Sequence, residues 1–187
     1  MLSSESMSGN GEAFRFLANG FLYPEDGDFI DAGWRVLSGL SHDLSLPFDL
    51  QMDPPDLIEL QAEYIRLFIS TPTRQLAPPY ASCYLSRSRL LNQEAAQEAL
   101  NYYREVGVEP KSSTEPPDHI ATELAFVAHL IDHGHVTLLS RFLEGHLLKW
   151  YPRFFSLLLQ LEPPLWYRQL GKVTGALLEK IHQKGGH

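Results

Sequence analysis

The densest chemistry in the chain lies in one short stretch, Glu115, Pro116, Pro117, Asp118, His119 and Glu123. Three carboxylates and an imidazole stand beside two prolines that fix the backbone presenting them. Carboxylates held this way can accept charge-assisted, bidentate hydrogen bonds from guanidinium groups of a bound peptide. His119 would then orient a carboxylate or bond the peptide backbone. A purely structural use is also open. An acid in a first helical turn is stabilised by the helix dipole alone, and Glu123, four residues after His119, can pair with it on one helix face.

The second suspect is Gln75 to Arg89, an irregular stretch with Pro78, Pro79, Tyr80, Tyr84 and Leu85, followed by Arg87 and Arg89. Prolines and tyrosines give contact area at low entropic cost, as a peptide-docking segment needs. The alternative is a loop whose tyrosines only pack it onto the rest of the fold.

Other constellations are weaker. His129 and His133 share a helix face and His135 follows, but there is no HExxH arrangement, so solvated or helix-end histidines are favoured over a metal site. His146, beside Trp150, reads as a hydrogen-bonded core histidine. Cys83, the single cysteine, has no neighbouring base to activate it and reads as buried filler. No glycine pattern forms a phosphate loop. Glu25 and Asp26 read as a solvated helix start.

Helical spacing must position these groups. Apolar residues recur at steps of three and four from Ala13 to Leu22, then from Phe29 to Leu40, then from Leu57 to Phe68 behind a start at Pro55 or Asp56 and before Pro72. Asn92 is a candidate cap for a helix ending at Gly107. Thr114 is a candidate cap for the next, which carries Pro116 and Pro117 in its first turn, is apolar almost all round, and closes at Gly134. Further helices are expected over 137–149, over 154–161 after a break at Pro152, and over 165–182. With no strand alternation, the fold class is all-α: a single-domain bundle of seven or eight helices. Residues 1–11 are expected to fray and 12–184 to form the domain, with the final Gly-Gly-His excluded from the fold.

The bulk numbers narrow function. A chain of 187 residues with 44% hydrophobic content can bury one sizeable core. A net charge of -8 disfavours a phosphate-backbone binder, so no nucleic-acid partner is expected, and suits a basic partner instead. The lone cysteine points to a reducing compartment. No segment reads as a secretory signal or a membrane span, so no membrane insertion is expected.

Three motifs in order resemble a known family: E-Y-x-x-L-F at Glu63, Tyr64, Leu67 and Phe68, P-P-aromatic at Pro78, Pro79 and Tyr80, and E-P-x-D-H-x-x-x-E from Glu115 through Asp118 and His119 to Glu123. The chain is identified on these as similar to the TorD/DmsD/NarJ redox-enzyme maturation chaperones. The resemblance implies a TorD-like all-helical fold and a cytoplasmic, non-enzymatic chaperone without a cofactor. Its partner would be the catalytic subunit of a molybdopterin-dependent oxidoreductase and that subunit's twin-arginine leader peptide. The family role carries over to Pro79, Tyr80, Asp118 and His119, with Pro78, Tyr84, Glu115 and Glu123 completing the candidate peptide-binding set. Where the family often has tryptophan after the proline pair, this chain has Tyr80. The oligomeric expectation is a monomer or a helix-exchanged homodimer. Two other classes stay in view: a metal-dependent hydrolase using His119, Glu123, His129 and His133, and a helical adaptor that binds no leader.

Overall fold

A helix apolar on nearly every side can only lie inside others, and α6 (Ile120–Asp132) does so, with Ile120, Leu124, Val127 and Leu130 fully buried. A computed structural model describes residues 4–48, 53–70, 75–85, 93–109 and 115–185. Helix α1 (Ser4–Gly20) runs along α6, placing Phe14 and Leu17 in the core, with Phe21 buried just after its end. Regular helix therefore reaches back into residues expected to fray. At Gly11 the missing side chain leaves room for Asp132, which pairs with Arg15.

Helix α2 (Gly27–Asp43) starts on Asp26, whose carboxylate accepts from the Asp28 N–H. It packs on α9 (Leu165–Gly185), and the approach is close at Gly33. A Cβ there would stand 2.8 Å from Trp166 Cη2 and 2.9 Å from Phe16 Cε2. Gly33→Ala is expected to destabilise by about 1–3 kcal/mol through overpacking, read by urea unfolding.

Helix α3 (Leu57–Tyr64) begins next to the expected start at Pro55 or Asp56, with Asp56 as its cap, and continues as a π turn over Ile65–Ile69. The next elements are the short α4 (Ser82–Leu85) and α5 (Gln93–Arg104), followed by Gly107 at φ +70°. Left-handed backbone there suits glycine, and Gly134 closes α6 in the same way at φ +68°. The expected break at Pro152 does not occur. Helix α7 (Val136–Phe142), a π turn (Leu143–Leu147) and α8 (Leu148–Gln160) run on without interruption. Pro152 is exposed, while Trp150, Tyr151, Phe154 and Leu158 bury the other side, so packing outweighs one missing donor.

The described residues thus form an all-α bundle, with α7 and α8 joined into one rod. Their only β feature is an isolated antiparallel bridge between Tyr80 and His119. None of these helices is long and apolar enough to cross a membrane. Asn92, Thr114, Pro72, Arg87 and Arg89 lie outside the described residues.

Candidate functional site

The bridge joins the two stretches singled out in the sequence. Ala81 N–H donates to the Asp118 carbonyl (2.9 Å) and Ile120 N–H to the Pro79 carbonyl (2.9 Å). The Asp118 side chain adds a third link, its Oδ2 accepting from Ser82 N–H at 3.0 Å. Pro116 and Pro117 stand before the helix, not in its first turn, because His119 is the cap: its Nδ1 accepts from Ala121 N–H at 3.1 Å.

That bond fixes the imidazole's protonation. Nδ1 supplies a lone pair, so the ring proton sits on Nε2. Burial holds the His119 pKa down at about 3, and the ring is neutral near pH 7. Its Nε2–H makes no hydrogen bond, with Glu115 Oε2 4.0 Å away. Glu115 also receives a long hydrogen bond from the Tyr80 hydroxyl, 3.4 Å. Burial raises the Glu115 carboxyl above its ordinary value, which the Tyr80 bond partly offsets. Burial and Glu115 together push the Tyr80 phenol up to about 12, so it remains a donor. The Tyr80 and His119 rings meet edge-on, 5.0 Å between centroids.

Two expected guanidinium ligands turn inward. Asp118 is 2% exposed and holds Ser82; Glu123 is fully buried, its Oε1 2.8 Å from His146 Nε2 and its Oε2 accepting from Trp150 Nε1–H at 3.0 Å. Both carboxylates are thus engaged by internal donors, and Glu123 pairs with His146 where the sequence offered His119. Tyr84 stacks on Trp150 (5.7 Å), and Pro79 is buried. Pro78, Tyr80 and Glu115 retain exposure.

Glu115 also opens on a groove of about 270 Å³ between α1 and α6. Ala18, Asn19 and Leu22 line it from α1 and the turn after it, Ala121, Thr122, Ala125, Phe126 and His129 from α6, and Tyr103 and Val108 complete the lining. The sequence reading did not group these residues into one groove. Its available signal was the run of small side chains, Ala121, Thr122 and Ala125, on an otherwise bulky helix. A groove walled by apolar groups and bordered by a carboxylate can hold an apolar segment carrying a cation.

The remaining groups divide readily. The rings of His129 and His133 stack at 4.1 Å, and His133 Nδ1 bonds the His129 carbonyl. Among the described residues no three His, Cys, Asp or Glu side chains are placed to hold a metal ion. His119 and Glu123, committed near the start of α6, do not join those histidines. Cys83 is half-buried, and burial, then Asp118, raises its thiol pKa, so it is no activated nucleophile. His146 is a buried, hydrogen-bonded histidine, as read from the sequence.

Comparison with known proteins decides the family. The profile of the nitrate reductase delta subunit family matches residues 30–156. The chain belongs to this TorD/NarJ family. All three motifs of the TorD/NarJ resemblance fall inside the matched span. Similar proteins include the chaperone protein TorD of Photobacterium profundum, 38% identical over 109 residues covering 52% of this chain and 50% of that one. Chaperone protein TorD of Aliivibrio salmonicida is 33% identical over 121 residues, covering 58% and 56%. The chain thus spans about half the length of these relatives. In structure it is similar to a redox enzyme maturation protein of Archaeoglobus fulgidus, with TM-score 0.59, 23% identity, and coverage of 93% of this chain and 92% of that one. That likeness extends the TorD-like assignment to the fold.

Proposed function

We propose that this TorD/NarJ-family chain is a cytoplasmic maturation chaperone for a molybdopterin-dependent oxidoreductase of the DMSO/TMAO reductase, formate dehydrogenase or nitrate reductase type. It binds the enzyme's twin-arginine leader, its apoprotein, or both before cofactor insertion and export. The observation that carries the reading is an apolar groove lined in part by Glu115, which accepts a hydrogen bond from Tyr80. A leader joins two arginines to an apolar stretch, and the groove offers a carboxylate next to an apolar floor. Net charge -8 favours approach of the basic end. Relatives named as TorD chaperones support the same class.

In this reading Glu115 meets the guanidinium, Pro78 and Tyr80 flank it, and Asp118 and His119 act from behind by fixing the bridge. Titration of the chain with twin-arginine leaders from its own genome should saturate and weaken with salt. Glu115→Gln should lose about tenfold in affinity, roughly 1.4 kcal/mol, while folding is preserved. Because burial raises the Glu115 pKa, binding should also fade as pH falls through that raised value and the carboxylate is protonated. If no leader binds, and leader-truncated apoprotein does not bind either, the proposal is wrong.

A further inference from the structure

A second chamber of about 250 Å³ adjoins the groove that Glu115 lines. Tyr23, Pro24, Phe29 and Ile30 supply its apolar lining, and Glu25 and Asp26 its charge. Asn19 and Leu22 line both hollows. Neither hollow alone reaches the roughly 300 Å³ at which ligand pockets begin, and together they exceed it. The tyrosines tie the two together as well. Tyr23, 42% exposed, meets Tyr64 edge-on at 5.5 Å, and the Tyr64 phenol is raised by burial first and then by Glu115 and Tyr80. Tyr64 is thus near both.

The second chamber is strongly acidic. Residues 16–34 hold four acids, Glu25, Asp26, Asp28 and Asp31, and no Lys or Arg. The N-terminus of α2 sets only about half a positive charge against them, so the local sign stays negative. Asp26 is occupied as the α2 cap. Glu25 is exposed and makes no ion pair or hydrogen bond among the described residues, so it has no structural duty to give up.

We propose that the peptide site continues across Asn19 into this second chamber and selects a segment with a cation on each side of its apolar stretch, one for Glu115 and one for Glu25. This rests on the leader-binding reading and adds a second charge requirement to it. The apolar stretch crosses at Leu22, where the exposed Asn19 carboxamide can both donate to and accept from its backbone. Tyr23 gives the second chamber its aromatic contact, as Tyr80 does beside Glu115. The arginine pair of a leader uses Glu115; a Lys or Arg placed after the apolar stretch uses Glu25.

Two synthetic peptides test this by fluorescence anisotropy on the full chain: a twin-arginine leader with Lys after its apolar stretch, and the same leader with Gln at that position. Glu25→Gln should weaken the Lys leader about two- to fivefold, the size of an exposed ion pair, and leave the Gln leader unchanged. Tyr23→Ser should weaken both leaders alike. Melting curves check that each variant folds. Binding that falls with Glu115→Gln but ignores Glu25→Gln for both leaders would overturn the second chamber and leave the leader reading standing. Equal losses for the two leaders on Glu25→Gln would overturn the pairing. If neither leader binds the parent chain, the leader reading fails and this inference fails with it.

Discussion

Glu123→Ala is expected to lower folding stability by about 3–5 kcal/mol, one of the two largest effects anticipated for a single substitution here. Glu123 is fully buried and serves two donors, His146 Nε2 at 2.8 Å and Trp150 Nε1 at 3.0 Å. The other imidazole nitrogen of His146 lies 3.2 Å from Glu98 Oε2. With a carboxylate on each nitrogen, the ring is placed to donate from both. Burial pulls the His146 pKa down, but Glu123 and Glu98 outweigh it and hold it above its ordinary value. Removing Glu123 leaves the buried His146 Nε2 and the Trp150 indole N–H without their shared partner, together with a cavity. Denaturant unfolding measures the loss, and a change under about 1 kcal/mol would contradict the network. Glu123→Gln keeps an acceptor for Trp150 and should cost less. If Glu123 instead met a ligand directly, the Gln variant would lose binding with stability intact.

This network marks the boundary of what local sequence could reveal. Asp56 capping α3, Gly107 and Gly134 ending α5 and α6, and the buried Leu60, Tyr64, Leu67 and Phe68 follow from spacing and turn chemistry within a few residues. The Glu123–His146 pairing spans 23 residues and depends on the π turn that carries His146. Neither helical period nor motif encodes that turn. Pro152 misled for a related reason. Local propensity demands a break, and the aromatic face of α8 overrides it.

The candidate site was legible in neighbourhood more than in role. The proline–tyrosine segment and the acidic cluster do lie together, zipped by the bridge of Tyr80 with His119. Which acid faces outward was not readable. Asp118 and Glu115 stand three residues apart in one loop, and only the tertiary bond from Ser82 N–H to Asp118 decides that Asp118 turns inward. The groove walls come from α1, α6 and the end of α5, far apart in sequence, and their residues pass as ordinary core positions when taken singly.

The second large effect is one of pH, and His119 is its source. In the unfolded chain this imidazole titrates near its ordinary value of 6.5; folded, burial lowers it to about 3. Between those values the unfolded state binds a proton that the folded state refuses, so stability falls as pH falls. The contribution is complete above pH 6.5 and erodes by on the order of 1 kcal/mol per pH unit down to about 3. His146 has the opposite sign. Its raised pKa gives stability that is present below 6.5 and is lost as pH rises through the folded value. His119→Asn separates the two, because the Asn side-chain oxygen can cap α6 through Ala121 N–H and carries no titrating proton. Urea unfolding of this variant should show a pH slope shallower by about one proton between pH 4.5 and 6.5, with the alkaline limb unchanged. Equal slopes for the variant and the parent would mean that His119 is not held neutral by burial. Its assignment as a fixed Nε2–H donor facing Glu115 would fall with that result.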